Sequence, residues 1–376
     1  MDLTQKGWYD HKTIRRIGNT NFRKIKIMKK AFFLAAIILF IRASGVGQRT
    51  PDAGQQNPGT GQSLEFPQAE ISNDILHARL YLPDAEKGYY RGTRFDWSGV
   101  MPSLEYQGHS YSGQWFPEYA PTINDAIMGP VESFTPLGYK DAAPGGHFVQ
   151  IGVGVLARPD GSPYSPFKYY SVLNPGVWKI KRSRAPIEFR HQLNDTGYSY
   201  DYTKSITMTK GRPELVLAHR LKNTGKKTIE TDVYDHNFFL IDSMLTGPGL
   251  VLKFPFTLTG EETRGLNDLA VIEGDSIRIL REFTGKESVY AVLHGYGDQA
   301  GDYDIKLKNH ITGAGLRIRA DRPLSRLVYW GNGRILCPEP YIHVNVQPGE
   351  TFTWTLRYEF YSGNIGEAGT TGDLSN

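Results

Sequence analysis

The stretch that decides the fold is TFTWTLRYEFY, residues 351–361. Every second residue in it is large and apolar: Phe352, Trp354, Leu356, Tyr358 and Phe360. Successive side chains of a β-strand point to opposite faces of the sheet, so this spacing places all five on one face. The pattern predicts an antiparallel strand with one buried face and one face in contact with water.

Similar runs occur throughout the chain before this strand. They are rich in Val, Ile, Tyr, Phe and Thr, and turn sequences such as Asp-Gly, Asn-Pro-Gly and Gln-Pro-Gly-Glu separate them. The clearest are 148–156, 200–209, 214–221, 228–234, 276–283 and 314–320. Many short strands at this spacing are typical of a β-sandwich or barrel, and no fixed-period repeat indicates a propeller. We predict an all-β protein in which residues 64–376 form a single large antiparallel β-sandwich domain.

Composition and charge exclude several classes of protein. Of the 376 residues, 39% are apolar and 22% charged, which argues against a disordered, collagen-like or multi-span membrane protein. The single cysteine, Cys337, excludes an intramolecular disulfide and a thiolate zinc site. Residues 1–48 hold ten of the 43 basic but only two of the 39 acidic side chains, so the remainder has a net charge of −4. That balance predicts no nucleic-acid partner.

Residues 28–48 have the composition of a secretory signal peptide. Lys29 and Lys30 precede an apolar run over 31–41, and small residues follow it. Eleven helical residues span about 16 Å, too little for about 30 Å of membrane hydrocarbon, so no stable membrane anchor is expected. We predict that the protein is secreted or periplasmic.

Two segments flank this leader. Residues 1–27 are basic and longer than an ordinary signal n-region, so we predict that Met28 is the true start and that 1–27 is upstream sequence translated in error. Residues 49–63, RTPDAGQQNPGTGQS, contain almost nothing apolar. They predict a disordered linker.

The sequence lacks the motifs of common cofactor and metal sites. There is no glycine-rich phosphate loop before a helix, since Gly152-Val153-Gly154 is expected inside a strand. There is also no Gly-x-Ser-x-Gly elbow, no His-x-x-x-His zinc pair and no Asp-x-Asp-x-Asp-Gly calcium loop. We predict no cofactor and no metal. Cys337 is isolated beside Pro338 and is more typical of an inert residue than of a nucleophile.

Two segments combine residue types suited to binding or proton transfer. Residues 89–99, YYRGTRFDWSG, contain Arg94, whose planar fork can bind sugar hydroxyls or a carboxylate. The alternative for this segment is a surface turn with an Arg–Asp pair and a core Trp. In residues 214–239, His236 follows Asp235 at a strand end, where it could exchange a proton near neutral pH or serve a structural role only.

A third segment, 334–361, places Glu339 between Pro338 and Pro340. Proline restricts the backbone on both sides, so the carboxylate would be held in position. The alternative is an ordinary surface charge.

The order of these motifs resembles the aldose 1-epimerase, or galactose mutarotase-like, superfamily. The matching elements are Arg94-Phe95, Asn223-Thr224-Gly225, His236-Asn237-Phe238-Phe239, Glu339-Pro340, Pro348-Gly349-Glu350 and Tyr358-Glu359-Phe360. They span residues 88–361. The resemblance implies the galactose mutarotase-like supersandwich, a large antiparallel β-sandwich. It also implies an enzyme that opens and recloses an aldopyranose and so interconverts its α and β anomers.

The resemblance assigns roles by position. It implies that His236 is the acid at the ring oxygen, that Glu339 is the base at the anomeric hydroxyl, and that Arg94 binds substrate. The further substrate-binding residues that it implies are Asp268, His147 and His109. Ring opening needs one proton added at the ring oxygen and one removed from the anomeric hydroxyl. Two groups with separated pKa values can do this without a metal.

Two other functions remain open on the same fold. One is non-catalytic binding of a glycan, with His236 and Glu339 serving only as hydrogen-bond partners. The other is a lyase or hydrolase-like enzyme of polysaccharide breakdown that uses the same pair. Many sugar mutarotases work in the cytoplasm, so the predicted export favours both alternatives. A closed pocket around Arg94, His236 and Glu339 would indicate a monosaccharide, and an open groove flanked by Tyr or Trp would indicate a polymer.

Overall fold

The structure, a computed structural model, describes residues 65–183, 185–195 and 197–363. Two short 3-10 helices, Ile241–Ser243 and Ala300–Asp302, interrupt the strands of this part. The strands are β1 Gln68–Ser72, β2 Leu76–Tyr81, β3 Val100–Tyr106, β4 His109–Ser112, β5 Gly129–Phe134, β6 His147–Gln150, β7 Gly154–Ala157, β8 Val172–Asn174, β9 Val177–Lys181, β10 Ile187–Leu193, β11 Tyr200–Met208, β12 Glu214–Asn223, β13 Ile229–Phe238, β14 Leu250–Lys253, β15 Thr259–Arg264, β16 Ala270–Glu273, β17 Ser276–Ile279, β18 Ser288–His294, β19 Asp304–Asn309, β20 Gly315–Ala320, β21 Arg326–Asn332, β22 Leu336–Val346 and β23 Thr351–Tyr361.

The three predictions for the N-terminal region concern residues outside the described part of the chain. These are the upstream extension 1–27, the signal peptide 28–48 and the linker 49–63, and they remain predictions. The described residues all belong to one compact unit. Within them, no helix has the length and apolar character needed to cross a membrane.

Two large antiparallel sheets form a sandwich. One has ten strands in the order β16-β17-β14-β19-β20-β23-β12-β11-β10-β9, and the other has six in the order β15-β18-β21-β22-β13-β5. Strands β1–β4 and β6–β8 form two smaller sheets. All hydrogen-bonded neighbours among these strands are antiparallel. The predicted fold class, an all-β protein with a large antiparallel β-sandwich, is confirmed.

The inner faces of the two large sheets meet through aromatic side chains. Strand β23 buries alternate residues as its sequence predicts: Trp354, Leu356, Tyr358 and Phe360. The Trp354 ring lies 6.2 Å from that of Phe134 in β5. The Tyr358 hydroxyl donates a hydrogen bond of 3.2 Å to Asp235 in β13. Burying each such large side chain stabilises the fold by about 1.5–3 kcal/mol.

The run 148–156, predicted as one strand, forms two strands in the structure. Residues 148–156 form a hairpin, in which β6 pairs with β7 and Gln150 lies opposite Gly154. The placement of Gly152-Val153-Gly154 inside a strand was therefore wrong. Gly152 and Gly154 have φ angles of 78° and 137°, which a residue with a side chain rarely adopts, so the chain reverses there.

Strand β13 presents its two faces to different surroundings. Its inner face carries Asp235 between the sheets. Its outer face carries Tyr234 and His236, and Tyr234 lies opposite Tyr341 of β22 in the strand register. This alternation separates two neighbouring titratable residues onto opposite sides of one sheet.

A second buried aromatic cluster covers part of the outer face of the six-stranded sheet. Its members include Tyr90, Phe95, Trp97, Phe116, Phe148 and Tyr170. They belong to one cluster with Val131, Phe238 and Cys337 of β5, β13 and β22. Beside this cluster, part of the sheet's outer face remains open and forms the floor of a cavity.

Candidate active site

A cavity of about 450 Å³ lies on the outer face of the six-stranded sheet. This volume falls within the range of about 300–1,000 Å³ that is usual for small-molecule sites. Its strand-borne side chains include Tyr234, His236, Tyr290, Trp330, Glu339 and Tyr341. Loop segments add Arg94, Trp115, Asp125 and Phe167. The lining is therefore aromatic with a few charged groups.

His236 and Glu339 meet in this cavity. Tyr234 and Tyr341 are opposite each other in the register of β13 and β22. Two residues further along, Nε2 of His236 lies 3.2 Å from Oε1 of Glu339. Both side chains are buried, with residue exposures of 2% and 6%. Strand pairing thus joins two proton-transfer groups that are distant in the chain.

The surroundings of His236 are mostly aromatic. Its ring stacks on Phe238 at 3.8 Å between centroids, and the rings of Phe95 and Trp330 approach it edge-on at 5.6 and 5.7 Å. Nδ1 of His236 has no hydrogen-bond partner among the described residues. Burial, with the positive charge of Arg94, lowers the pKa of His236 well below its usual value. The imidazole is therefore neutral at physiological pH.

Glu339 has the opposite shift. Burial raises the pKa of its carboxyl to about 7, although Arg94 and Arg326 favour the ionised form. The residue sits inside β22 between Pro338 and Pro340, which have no N–H for the sheet. The side-chain amide of Asn237 donates to the Pro338 carbonyl at 2.9 Å, which links β13 and β22 at this point.

Arg94 reaches the cavity from the 89–99 segment. Its guanidinium donates to Asp125 at 2.6 Å and to the Tyr234 hydroxyl at 3.2 Å. It also lies 4.7 and 5.1 Å from the ring centres of Phe95 and Phe167. Burial opposes the charge of Arg94, but Tyr234 and Asp125 raise its pKa above the usual value. A fixed cation therefore stands beside the His236–Glu339 pair.

No protein-family model matches the chain, and no curated protein matches it in sequence. Solved structures do match it. They include galactose mutarotase-like and aldose epimerase-like proteins.

Three of these structures illustrate the similarity. The galactose mutarotase related enzyme from Lactobacillus acidophilus is 10% identical, with a TM-score of 0.49, over 79% of this chain and 98% of that one. The GalM/aldose epimerase homologue from C. elegans is 14% identical, with a TM-score of 0.47, over 79% and 99%. A galactose mutarotase-like protein from Lactobacillus casei is 11% identical, with a TM-score of 0.45, over 78% and 100%. At these values the similarity bears on no individual residue or reaction of this chain.

Three of the predicted substrate-binding residues lie outside the cavity. Asp268 forms an exposed ion pair with Arg281 at 3.0 Å. His147 lies 3.2 Å from Asp195, beside a separate depression. Nδ1 of His109 lies 3.1 Å from Asp242. The structure brings together Arg94, His236 and Glu339, and it does not bring Asp268, His147 or His109 to them.

Sequence reasoning missed several residues of the cavity. Tyr234 and Tyr341 lie two residues from His236 and Glu339, so strand alternation alone would have placed them on the same face. Asp125 lies in an irregular loop where no periodic pattern points to it. Asp235 does not orient His236, because it is on the inner face of β13.

A second, larger depression adjoins the cavity. It has a volume of about 770 Å³ and shares Trp115 and Trp330 with the first. Its further lining includes Lys286, Glu287 and Arg334. Among the described residues, no group of three or more His, Cys, Asp or Glu side chains could hold a metal ion.

Proposed function

We propose that this protein is a carbohydrate-active enzyme that interconverts the anomers of an aldose bound in the 450 Å³ cavity. The observation that carries the proposal is the buried contact of 3.2 Å between Nε2 of His236 and Oε1 of Glu339. Two proton-transfer groups in one cavity, beside a fixed cation, suit a reaction that moves one proton onto a sugar and another off it.

The reaction balances with these two groups. Glu339 in its carboxylate form takes the proton of the anomeric hydroxyl while protonated His236 gives a proton to the ring oxygen. The bond between the anomeric carbon and the ring oxygen breaks, and an open-chain aldehyde forms. Rotation about the bond next to the aldehyde presents its other face, and the reverse proton transfers close the ring as the other anomer.

The electrostatics of the pair set where the proton starts. The pKa of Glu339 is about 7 and that of His236 is well below normal, so below pH 7 the shared proton resides on Glu339. Transfer of that proton across the 3.2 Å contact forms the imidazolium and carboxylate that the reaction needs. Arg94 lies close enough to favour the ionised carboxylate after the transfer.

The aromatic walls support a sugar as the ligand. Tyr234 stacks on Tyr341 at 4.4 Å, and Trp115 lies 5.9 Å from Trp330. Sugar rings bind such surfaces through their C–H faces and place hydroxyls at the polar tips. Phe167, 70% exposed at the cavity rim, adds a further apolar surface.

The test is anomeric exchange, followed by NMR saturation transfer on a panel of aldoses with the full-length protein. We expect wild-type protein to accelerate exchange of at least one sugar. Glu339→Gln, which keeps the side-chain shape, should lose about 10²–10⁴-fold of that acceleration. Glu70→Gln, at an exposed position in β1, is the matched control and should retain full activity. A panel without any acceleration, or a Glu339→Gln variant as active as wild type, would refute the proposal.

A second candidate function is the binding or cleavage of a longer glycan. The observation that favours it is the 770 Å³ depression that continues from the cavity past Trp115 and Trp330. Titration with neutral oligosaccharides of two to six units, followed by tryptophan fluorescence and product analysis, distinguishes the candidates. An affinity that rises with the number of sugar units favours the longer glycan. An affinity that does not increase beyond that for a single sugar favours the monosaccharide.

We further propose that the protein is exported through cleavage of the 28–48 leader. The apolar run and the small residues after it support this proposal. N-terminal sequencing of the protein from its native cells tests it. A mature N-terminus near residue 49 is expected, and an intact leader on the native protein would contradict it.

A further inference from the structure

The charged groups of the cavity are not balanced. Arg94 is committed to Asp125 and Tyr234. Arg264 and Arg326 also line the cavity, yet neither side chain makes an ion pair or hydrogen bond among the described residues. The cavity therefore presents two guanidinium groups that the protein itself does not satisfy.

Arginines on strands elsewhere in the molecule are often paired. Those with a carboxylate partner include Arg190, Arg278, Arg317, Arg319 and Arg357. The two arginines of the cavity differ from these because the residue directly opposite each of them in the strand register is a tyrosine.

Strand register and aromatic contacts hold the two arginines along the walls. Arg264 lies opposite Tyr290 in the register of β15 and β18, with its guanidinium 5.9 Å from the ring centre. Arg326 lies opposite Tyr341 in the register of β21 and β22, with its guanidinium 5.6 Å from that ring. Cation–π contacts of this kind position a guanidinium without neutralising its charge.

The strand register places Arg264 and Arg326 at defined positions relative to His236 and Glu339. Tyr290 is opposite Trp330, so Arg264 belongs to the row of cross-strand neighbours that contains Trp330, whose ring lies 5.7 Å from that of His236. Val328 of β21 is directly opposite Glu339 of β22. Arg326 precedes Val328 by two residues, so its side chain lies on the same face of the sheet as Glu339. Its charge is close enough to act on the Glu339 carboxyl.

We propose that the sugar taken by this cavity is anionic, with a carboxylate or phosphate group bound by Arg326 and Arg264 while its pyranose ring lies against His236 and Glu339. This inference rests on the proposed function and names its substrate class. Guanidinium groups form planar, two-point hydrogen bonds with carboxylates and phosphates. Neutral hydroxyls satisfy one donor at a time and leave the excess positive charge of the site uncompensated.

The experiment compares matched sugars in the anomeric-exchange assay. The probes are glucose against glucuronate, galactose against galacturonate, and glucose against glucose 6-phosphate. We expect kcat/KM for an anionic member to exceed that of its neutral partner by at least about tenfold, and Arg326→Gln or Arg264→Gln to lower that ratio about tenfold. Salt at 0.5 M should also lower it, because screening weakens exposed charge interactions. The uronates and the phosphate ester distinguish the two anionic groups.

The matched control is Arg278→Gln, which removes the same charge from an arginine paired with Glu273 outside the cavity. It should leave the ratio unchanged. Equal acceleration of neutral and anionic sugars, or a ratio that neither cavity variant alters, would overturn the inference and leave the proposed function intact.

Failure of the proposed function gives a different result. If no sugar is accelerated, saturation-transfer-difference titrations with glucose, glucuronate and glucose 6-phosphate test the binding alone. Preferential binding of an anionic sugar, lost in Arg326→Gln, would support the inference without catalysis. Equal binding of all three, or no binding of any, would overturn it as well. Thermal unfolding of each variant checks that the fold is retained.

Discussion

The two faces of strand β13 hold charged clusters of very different character. On the outer face, His236 and Glu339 border a cavity of about 450 Å³. On the inner face, the charges of Glu132 and Lys204 act on Asp235, and the cavity that Asp235 and Glu132 line measures about 10 Å³. That volume is at the lower limit for a single water molecule. The same strand thus faces a space for a ligand on one side and a closed interior on the other.

The inner cluster joins the two large sheets. Lys204 of β11 forms an ion pair with Glu132 of β5, and His219 of β12 lies 2.7 Å from the same carboxylate. Asp96 accepts hydrogen bonds from Ser98 and from the Tyr202 hydroxyl, the latter at 3.0 Å.

The two faces of β13 differ in how firmly they fix the protonation state of a buried carboxyl group. Burial works to raise the pKa of Glu132, but Lys204 and His219 lower it to about 2 and keep the carboxylate ionised. On the outer face, no Lys or Arg side chain among the described residues contacts Glu339 so closely, and burial raises the pKa of Glu339 to about 7. A carboxyl with a direct cationic partner is locked in one state, and a carboxyl without one can exchange a proton.

The largest expected effect is on activity, at the outer face. Glu339→Gln should lower kcat/KM about 10²–10⁴-fold, because general acid–base catalysis loses its exchangeable proton. The same substitution should leave the free energy of unfolding within about 1 kcal/mol of wild type, since the amide can still hydrogen-bond His236. Urea unfolding measured beside the exchange assay checks both. A large loss of stability would show that the outer pair is structural.

The next effect is on stability, at the inner face. Lys204→Met should destabilise the fold by about 3–5 kcal/mol, because it leaves Glu132 buried without its cation. The control is Lys253→Met, which breaks an exposed pair with Asp275 and should not measurably change the unfolding midpoint. Equal midpoints for the two variants would contradict the assignment of the inner cluster to stability.

The pH dependence of activity tests the raised pKa of Glu339. The pair holds its one exchangeable proton below about pH 7 and loses it above, so kcat/KM should fall with rising pH around an apparent pKa of about 7. Anomeric exchange between pH 5.5 and 9, corrected for the uncatalysed rate, measures this. Residual activity of Glu339→Gln should lack the inflection. A flat wild-type profile would be inconsistent with the proposal.

The pH dependence of stability tests the inner face. Burial raises the pKa of Asp96 to about 7 despite Lys204, whereas the pKa in the unfolded chain is near 3.8. At Asp96 the folded state therefore binds more protons between these two values, and the contribution of Asp96 to the free energy of unfolding falls by about 1.4 kcal/mol for each rise of one in pH across that interval. Asp96→Asn removes this contribution, so its decline between pH 5 and 8 should be smaller in urea unfolding. An identical decline in wild type and Asp96→Asn would show that Asp96 is not the cause of the pH dependence.

The smallest effect concerns Asp268, which lines neither the 450 Å³ cavity nor the 10 Å³ cavity of the inner face. Asp268→Asn removes only an exposed pair with Arg281, so kcat/KM should stay within twofold of wild type, an effect of about 0.4 kcal/mol. The exchange assay checks this directly. A loss of tenfold or more would mean that Asp268 reaches the substrate as the sequence resemblance implied.

Local patterns were sufficient for much of the fold. The alternation of 351–361 appears as β23 with its predicted face buried. The exception at 148–156 arose because two glycines permit a tight reversal that an apolar run conceals. The sequence resemblance named Arg94, His236 and Glu339, which the structure gathers in one cavity. It also named Asp268, His147 and His109, which the structure places elsewhere.

By itself, the sequence determined the strand character of runs such as 200–209 and 351–361, because that depends on short-range periodicity, and it determined which residue types could exchange a proton. The tertiary structure alone decided that Glu339 meets His236 across 103 residues of chain, and that Asp125 pairs with Arg94. It also decided that Asp235 turns inward, away from His236. The reason is physical: strand order and loop placement come from long-range packing of two sheets, and no local pattern encodes which distant strand becomes the neighbour.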